Sequence, residues 1–382
     1  MSDFKLNLQL PPIRVAIIGS GIFVRDTYIP NILAHHPRIK LTAILSRTME
    51  SIESTLQLLS SNKYKDNNIN NSNNINTSNN NDNFYENFDN DILKYAGNNG
   101  EENFFTEACN ICDAVIIVVP IPLLTKYIER CLLLKLHILS EKPISMTSIE
   151  AKRLIILYKH INNNGQSSLW HVAENYRMEP AVQYAAQLVK TYNLQPKTFT
   201  LIAIRQQTTS SKYAVTSWRS NPDYKGSFVF DGGIHFIALL RYILPGEVNV
   251  LNSIYEEKSV VEVGSCGVCK IGEATGTYHI RYGAFPTVVC RLDVYWDDAV
   301  MSIIQHKGIG YEVMMTGMET KQFGFEGLEL EFKAWLDSIN TDSKKGSGSI
   351  TIMTPVPELT PEEALNDLIV IEKMCISQSS IN

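Results

Sequence analysis

The chain has 382 residues, 44% of them hydrophobic, and a formal net charge of −6. That length supports two ordinary domains, each with its own core. The charge is mild and spread along the chain without a dense basic stripe, which argues against nucleic acid as a direct partner.

The first segment, Met1 to Pro12, has no long apolar core and no small-residue cleavage site, so it does not read as a secretory signal. Ile13 to Ile18 is a β-branched apolar run that ends in Gly19-Ser20-Gly21, and it reads as a buried strand. Helix is expected over Asp26 to Leu33, made irregular by Pro30. A second strand is expected at Lys40 to Leu45, then a helix at about Glu50 to Leu59. Residues 62–83 are dominated by Asn with Ser and Asp. Such a tract cannot bury enough apolar surface to offset its ordering entropy, so it reads as a disordered surface insertion. Lys94 to Asn103 reads as a further loop extension.

The alternation of strand and helix then resumes. Asp113 to Val119 reads as strand, Pro122 to Leu134 as helix, His137 to Ser140 as strand, and Ser148 to Ile161 as an amphipathic helix. This rhythm predicts a doubly wound, mainly parallel α/β Rossmann sheet over residues 1–145. The apolar run Ala114 to Leu124 contains prolines and is too short to cross a bilayer. From Thr198 the character changes. Strands are expected at Thr198 to Gln206, Val248 to Tyr255, Ala274 to Arg281, Thr287 to Tyr295 and Val300 to His306. Their short connections predict a large, open, mainly antiparallel sheet in an α+β domain over residues 146–382. Two helices close the chain. Phe325 to Ile339 is amphipathic, and the last (about 361–377) starts at Thr360-Pro361 with an expected Thr cap. Seven cysteines, an odd number, favour reduced thiols and a cytoplasmic protein, with nuclear access open. Cys109 with Cys112 and Cys266 with Cys269 have CxxC spacing, but the pattern puts the pairs in different domains, so no metal is expected.

The residues that carry chemistry sit at predicted strand ends. In the first βα turn, Gly19 and Gly21 let the backbone approach a pyrophosphate at the helix N-terminus, beside Ile22 and Phe23. The third fingerprint position is Val24, not Gly or Ala. The second strand ends in Ser46-Arg47-Thr48 with no carboxylate for the adenosine ribose. A hydroxyl and a guanidinium there point to the 2′-phosphate of NADP(H). Pro120, Glu141 and Lys142 follow the next strand ends and would line the same crevice. A lysine there can polarise a substrate oxygen or exchange a proton, although a solvated surface lysine has the same spacing. Asp231 and His235, four apart at a helix start, form either a general acid–base pair or a buried structural histidine satisfied by the aspartate.

Taken together these motifs resemble the Gfo/Idh/MocA family (glucose–fructose oxidoreductase and inositol dehydrogenase), and fungal NADP-dependent members in particular. The features that carry the resemblance are Gly19 to Gly21, Glu141-Lys142-Pro143, Ala173-Glu174-Asn175-Tyr176-Arg177, Asp231-Gly232-Gly233-Ile234-His235 and the Thr360 to Ile371 helix. The resemblance implies that Lys142, Asp231 and His235 meet at the nicotinamide ring as the proton-handling set, with Asp231 orienting His235. It implies that Asn175, Tyr176 and Arg177 line the crevice and that Trp218 and Arg219 contact substrate, together with Asp231 and His235. The last helix would pack back near the Rossmann domain, and the chain would form a homodimer or higher homo-oligomer. The expected activity is NADP(H)-dependent hydride transfer to or from a sugar, polyol or aldehyde. The alternative is a regulatory protein that senses NADP(H) or a sugar on the same fold.

Overall fold

The computed structural model describes residues 11–60, 91–163, 168–212, 216, 218, 227–341, 350–352 and 356–376. The Asn-rich tract at 62–83 lies outside the described residues.

Six strands form the first sheet: β1 (Ile13–Ile18), β2 (Ile39–Ser46), β3 (Leu93–Ala96), β4 (Ala114–Ile117), β5 (His137–Glu141) and β6 (Trp170–Ala173). Their order is β3-β2-β1-β4-β5-β6, and every neighbouring pair is parallel. Parallel central strands are covered on both faces, which is why β1 and β4 are near-continuous apolar runs. The connecting helices are α1 (Ile29–Ala34), α2 (Met49–Ser60), α3 (Gly97–Ile111), α4 (Ile121–Leu133) and α5 (Ser148–Asn163).

Three expectations for this half are corrected. The domain boundary at 145 falls too early, because β6 completes the first sheet. Lys94 to Asn103 is no loop: it holds the end of β3 and the first turns of α3. Its Asn and Gly content hides an amphipathic helix whose Phe104, Phe105 and Ala108 are buried, while Glu101 pairs with Lys126 and Arg130. Finally, the helix carrying Pro30 starts earlier and runs through a π-helical stretch, Val24–Tyr28, before α1. A wider turn there accommodates a proline that lacks the N–H of a regular helix.

The second domain adds α6 (Asn175–Met178), α7 (Pro180–Thr191), β7 (Thr198–Gln206), α8 (Ser227–Asp231) and α9 (Ile234–Ile243). These are followed by β8 (Val248–Glu257), β9 (Val263–Ile271), β10 (Ala274–Gly283), β11 (Val289–Tyr295), β12 (Val300–His306), β13 (Gly310–Met315) and β14 (Lys321–Phe323). The sheet order is β14-β13-β12-β11-β7-β10-β9-β8, antiparallel except for the central β7–β10 pair.

The last two helices are α10 (Gly327–Ser338) and α11 (Pro361–Met374). Phe332, Trp335 and Leu336 of α10 enter the core formed by β1, β2 and α1. The α11 helix packs on α5, α9 and β8; its Glu362 pairs with Lys159 at 2.9 Å, and Ser148 N donates to Glu372 Oε1 at 2.7 Å. Thr360 precedes α11 as expected, but its hydroxyl donates back to Pro357 O and caps no helix N–H. No helix among the described residues is long and apolar enough to cross a membrane.

Candidate active site

The cofactor turn follows β1. Gly19 has φ +114°, and a Cβ there would lie 2.0 Å from Val118 O at the end of β4. Only glycine fits so close an approach between the two central strands. Gly21 is exposed, with nothing within 4 Å of where its Cβ would stand. The backbone at the helix start is therefore open, with Ile22 and Phe23 half-buried beside it. Val24 is fully buried inside the π-helical stretch, so the bulky third position is absorbed by the core.

At the end of β2, Ser20 Oγ lies 2.6 Å from Ser46 Oγ and 2.7 Å from Ser51 Oγ, which ties the glycine turn to the start of α2. Arg47 and Thr48 are exposed beside this hydroxyl cluster. Pro120 ends the β4 loop as the residue preceding α4. The order of the strands reverses between β1 and β4, where open α/β sheets bind their ligands. A glycine cradle at the switch point, an open backbone, and hydroxyl and guanidinium donors at the β2 end fit a dinucleotide.

Glu141 and Lys142 extend from β5. Lys142 Nζ donates to Asp231 O at 2.9 Å and to Asp231 Oδ1 at 3.1 Å. Burial alone would push the Lys142 ammonium down, but Asp231, Glu141 and Glu174 outweigh it and hold it above its ordinary value. The group is thus a fixed cation and hydrogen-bond donor. Burial pushes Glu141 up to about 7, with Asp231 and Glu174 adding to the rise, and Lys142 and the Tyr28 hydroxyl opposing. Tyr28 donates to Glu141 Oε1 at 2.7 Å. Glu331 of α10 also faces this carboxylate group. Burial first, then Glu141 and Glu174, push it well above the usual carboxylate range.

His235 is held differently from the expectation. Its Nδ1 lies 2.7 Å from Glu174 Oε1, not against Asp231. Glu174 stands at the end of β6 and also accepts from Tyr176 N at 3.2 Å. Burial would push Glu174 up, but His235, Arg177 and Lys142 outweigh it and hold it below the usual carboxylate range. An ionised carboxylate accepts, so Nδ1 carries the proton. His235 Nε2 makes no hydrogen bond among the described residues. The Tyr176 ring stacks on the imidazole, centroids 4.7 Å apart and 14° between planes.

The structure thus brings Lys142, Asp231, His235, Glu141 and Tyr176 together at the strand ends, and it re-pairs the two acids. Asn175 is half-buried at the start of α6. Arg177 departs from the expectation of a crevice residue. It is buried, with Nη2 2.6 Å from Asp367 Oδ1, in a network that includes Arg241 and Glu363. A guanidinium so paired anchors α6 to α11 and has no face left for substrate. Trp218 is half-buried against the second-domain core. Arg219 lies outside the described residues. Two residues were missed: Glu174, although it stands beside Asn175 in the quoted motif, and Glu331, whose helix gave no local signal.

The fold and the sequence have known counterparts. The chain is 27% identical over 379 residues to the dehydrogenase FPY6 of Fusarium mangiferae, covering 95% of each protein. An oxidoreductase of Thermotoga maritima, TM0312, has a similar fold at TM-score 0.73, with 22% identity and 96% of each chain covered. KijD10, a 3-ketoreductase of Actinomadura kijaniata solved with NADP and TDP-benzene, matches at TM-score 0.68 and 15% identity over 95% of this chain and 97% of that one. The model of the Gfo/Idh/MocA oxidoreductases, described as an oxidoreductase family with an NAD-binding Rossmann fold, matches residues 13–164. Through that segment, which runs from β1 into α5, the chain is similar to the nucleotide-binding part of the Gfo/Idh/MocA oxidoreductases.

Proposed function

We propose that the protein is an NADP(H)-dependent oxidoreductase acting on an alcohol or carbonyl carbon of a small polar substrate such as a sugar, polyol or aldehyde. The observation that carries this reading is the meeting of two ion-paired proton groups, Lys142–Asp231 and His235–Glu174, at the ends of β5 and β6. The nicotinamide dinucleotide supplies or accepts the hydride when bound. The chain's own residues manage charge and protons at the substrate oxygen. Lys142 donates a hydrogen bond to that oxygen and stabilises the negative charge that develops on it. Asp231 fixes the ammonium. His235 Nε2 takes the hydroxyl proton as an alcohol is oxidised and returns it as a carbonyl is reduced. Glu174 holds the imidazole by Nδ1, which leaves Nε2 to face the substrate. A pure sensor of cofactor or sugar has no need of this proton-transfer set.

The preference for NADP(H) rests on Arg47 and the hydroxyls of Ser46 and Thr48, with no carboxylate beside them at the β2 end to meet an unphosphorylated ribose. A spectrophotometric screen of NADPH oxidation and NADP reduction against aldehydes, ketones, sugars and polyols tests the proposal. Turnover of at least one class is the expected result. Tight NADP(H) binding with no turnover across the panel would favour the sensor.

A further inference from the structure

Arg205 stands at the end of β7, in step with the inward-facing Phe199, Leu201 and Ala203. It pairs across the sheet with Tyr282 of β10. Its Nη1 reaches over β11 to donate to Gln305 Oε1 at 2.6 Å. Gln305 Nε2 in turn donates to Tyr311 O–H at 2.9 Å and to Tyr176 O–H at 3.4 Å. A polar row of Tyr282, Arg205, Gln305 and Tyr311 therefore crosses the inner face of the sheet at one end. Both ends of the catalytic constellation touch it. Tyr176 stacks on His235, and a Cβ on Gly232, next to Asp231, would lie 2.4 Å from the Tyr282 hydroxyl.

Arg205 is half-buried, and no carboxylate among the described residues lies within ion-pair distance of it. The titratable groups that act on it most strongly, Tyr176, Tyr282, Cys290 and Tyr311, stay neutral. Burial pushes these phenols and this thiol upward, so none of them compensates the cation. The contrast within the molecule is direct. Arg177 and Arg241, also withdrawn from water, each have a carboxylate partner. A guanidinium withdrawn from water is costly unless an anion pairs with it.

Resting on the oxidoreductase reading above, we propose that the substrate is an anionic polyol or sugar, whose carboxylate or phosphate ester pairs with Arg205 at the end of the molecule remote from the reacting carbon. The planar fork of Arg205 suits two parallel hydrogen bonds to either oxyanion. The neutral hydroxyls of Tyr282 and Tyr311 flank it as additional donors. The carboxyl groups of the site, Asp231, Glu141, Glu174 and Glu331, gather instead around Lys142. That asymmetry orients an anionic substrate with its charged end toward the sheet and its alcohol toward Lys142 and His235.

The test compares glucose, glucuronate and glucose 6-phosphate, and their polyol counterparts, as substrates and as ligands of the full-length protein with NADP. In the wild type an anionic probe should exceed its neutral counterpart in kcat/KM by about 10- to 100-fold, the worth of a charged hydrogen-bonded pair. Which anion shows the effect tells carboxylate from phosphate ester. Arg205→Gln should collapse the ratio toward one, and Arg205→Lys should restore part of it. Thermal shift gives a second readout that needs no turnover: the anionic probe should raise Tm in the wild type and not in Arg205→Gln. Arg205-dependent anion binding without any turnover would keep this inference and remove the oxidoreductase reading. Turnover of neutral sugars with no anion preference in the wild type would keep that reading and overturn the inference, as would an anion preference that survives Arg205→Gln.

Discussion

His235 and Glu174 meet across the domain boundary: the imidazole Nδ1 of α9 lies 2.7 Å from a carboxylate oxygen at the end of β6. Lys142 and Asp231 cross the same boundary in the opposite sense, a first-domain lysine on a second-domain acid. Each domain thus supplies one proton-handling side chain and one carboxylate that holds the other's. The geometry of the site depends on how the two domains dock, and not on either domain alone.

Glu174 is therefore a positioning residue. Glu174→Gln replaces an acceptor by an amide that can present a donor to Nδ1, which disfavours the tautomer that leaves Nε2 as the base. We expect kcat to fall by about 10- to 100-fold, toward the lower end of what general acid–base catalysis contributes, with NADP(H) affinity little changed. Glu174→Asp should recover part of the loss. Steady-state kinetics and a cofactor titration check this. A parallel loss of cofactor binding would show that Glu174 supports the fold and not the imidazole.

The buried carboxyls make stability depend on pH. Glu141 rises from an ordinary 4.5 to about 7 in the folded chain, because burial penalises its charged form. A raised acid pKa means that the folded state holds the proton more tightly. Its stabilising contribution is complete below about 4.5 and is lost as pH rises through about 7. Glu331 has the same sign. Melting temperatures measured from pH 5 to 8 should fall across that window, and Glu141→Gln should flatten the slope. An unchanged slope in the variant would assign the dependence elsewhere.

Cofactor choice is tested at Arg47. Arg47→Ala should weaken NADP(H) binding by about 10-fold or more, the worth of a charged hydrogen bond, and leave NAD(H) binding nearly unaltered. Isothermal titration with both cofactors measures it. Equal losses for the two would remove the 2′-phosphate assignment.

The outer face of the second sheet exposes Leu251, Ile254 and Tyr295. An antiparallel sheet whose outer face is uncovered and partly apolar among the described residues is suited to a symmetric partner, and we propose that a second copy of the chain covers it. Light scattering at micromolar concentration should give a dimer or a larger symmetric assembly. A monomer mass would contradict this.

The fold was legible where local pattern and burial agree. The apolar run of β1 followed by Gly19, the strand β12 and the start of α11 at Pro361 all stand where the residues place them. The pattern failed where long-range packing decides. The start of α3 is polar by composition and is held by Phe104 and Phe105 against the sheet. Short β6 carries no period of its own and was left out of the first sheet. The site residues were legible as a set, but not as pairs. Helical spacing suggested Asp231 with His235, whereas tertiary docking gives Asp231 to Lys142 and Glu174 to His235. Arg177 reads like a crevice residue from its motif, and only the fold brings Asp367, 190 positions away, to its guanidinium.

The central claim is that Lys142 and His235 handle charge and proton at the substrate oxygen. The most direct measurement is the turnover of Lys142→Ala and His235→Ala on a substrate accepted by the wild type, with NADP(H) affinity measured on the same samples. Each variant should turn over about 10²- to 10⁴-fold more slowly while binding the cofactor nearly as tightly as the wild type. Near-normal turnover in both would contradict the account.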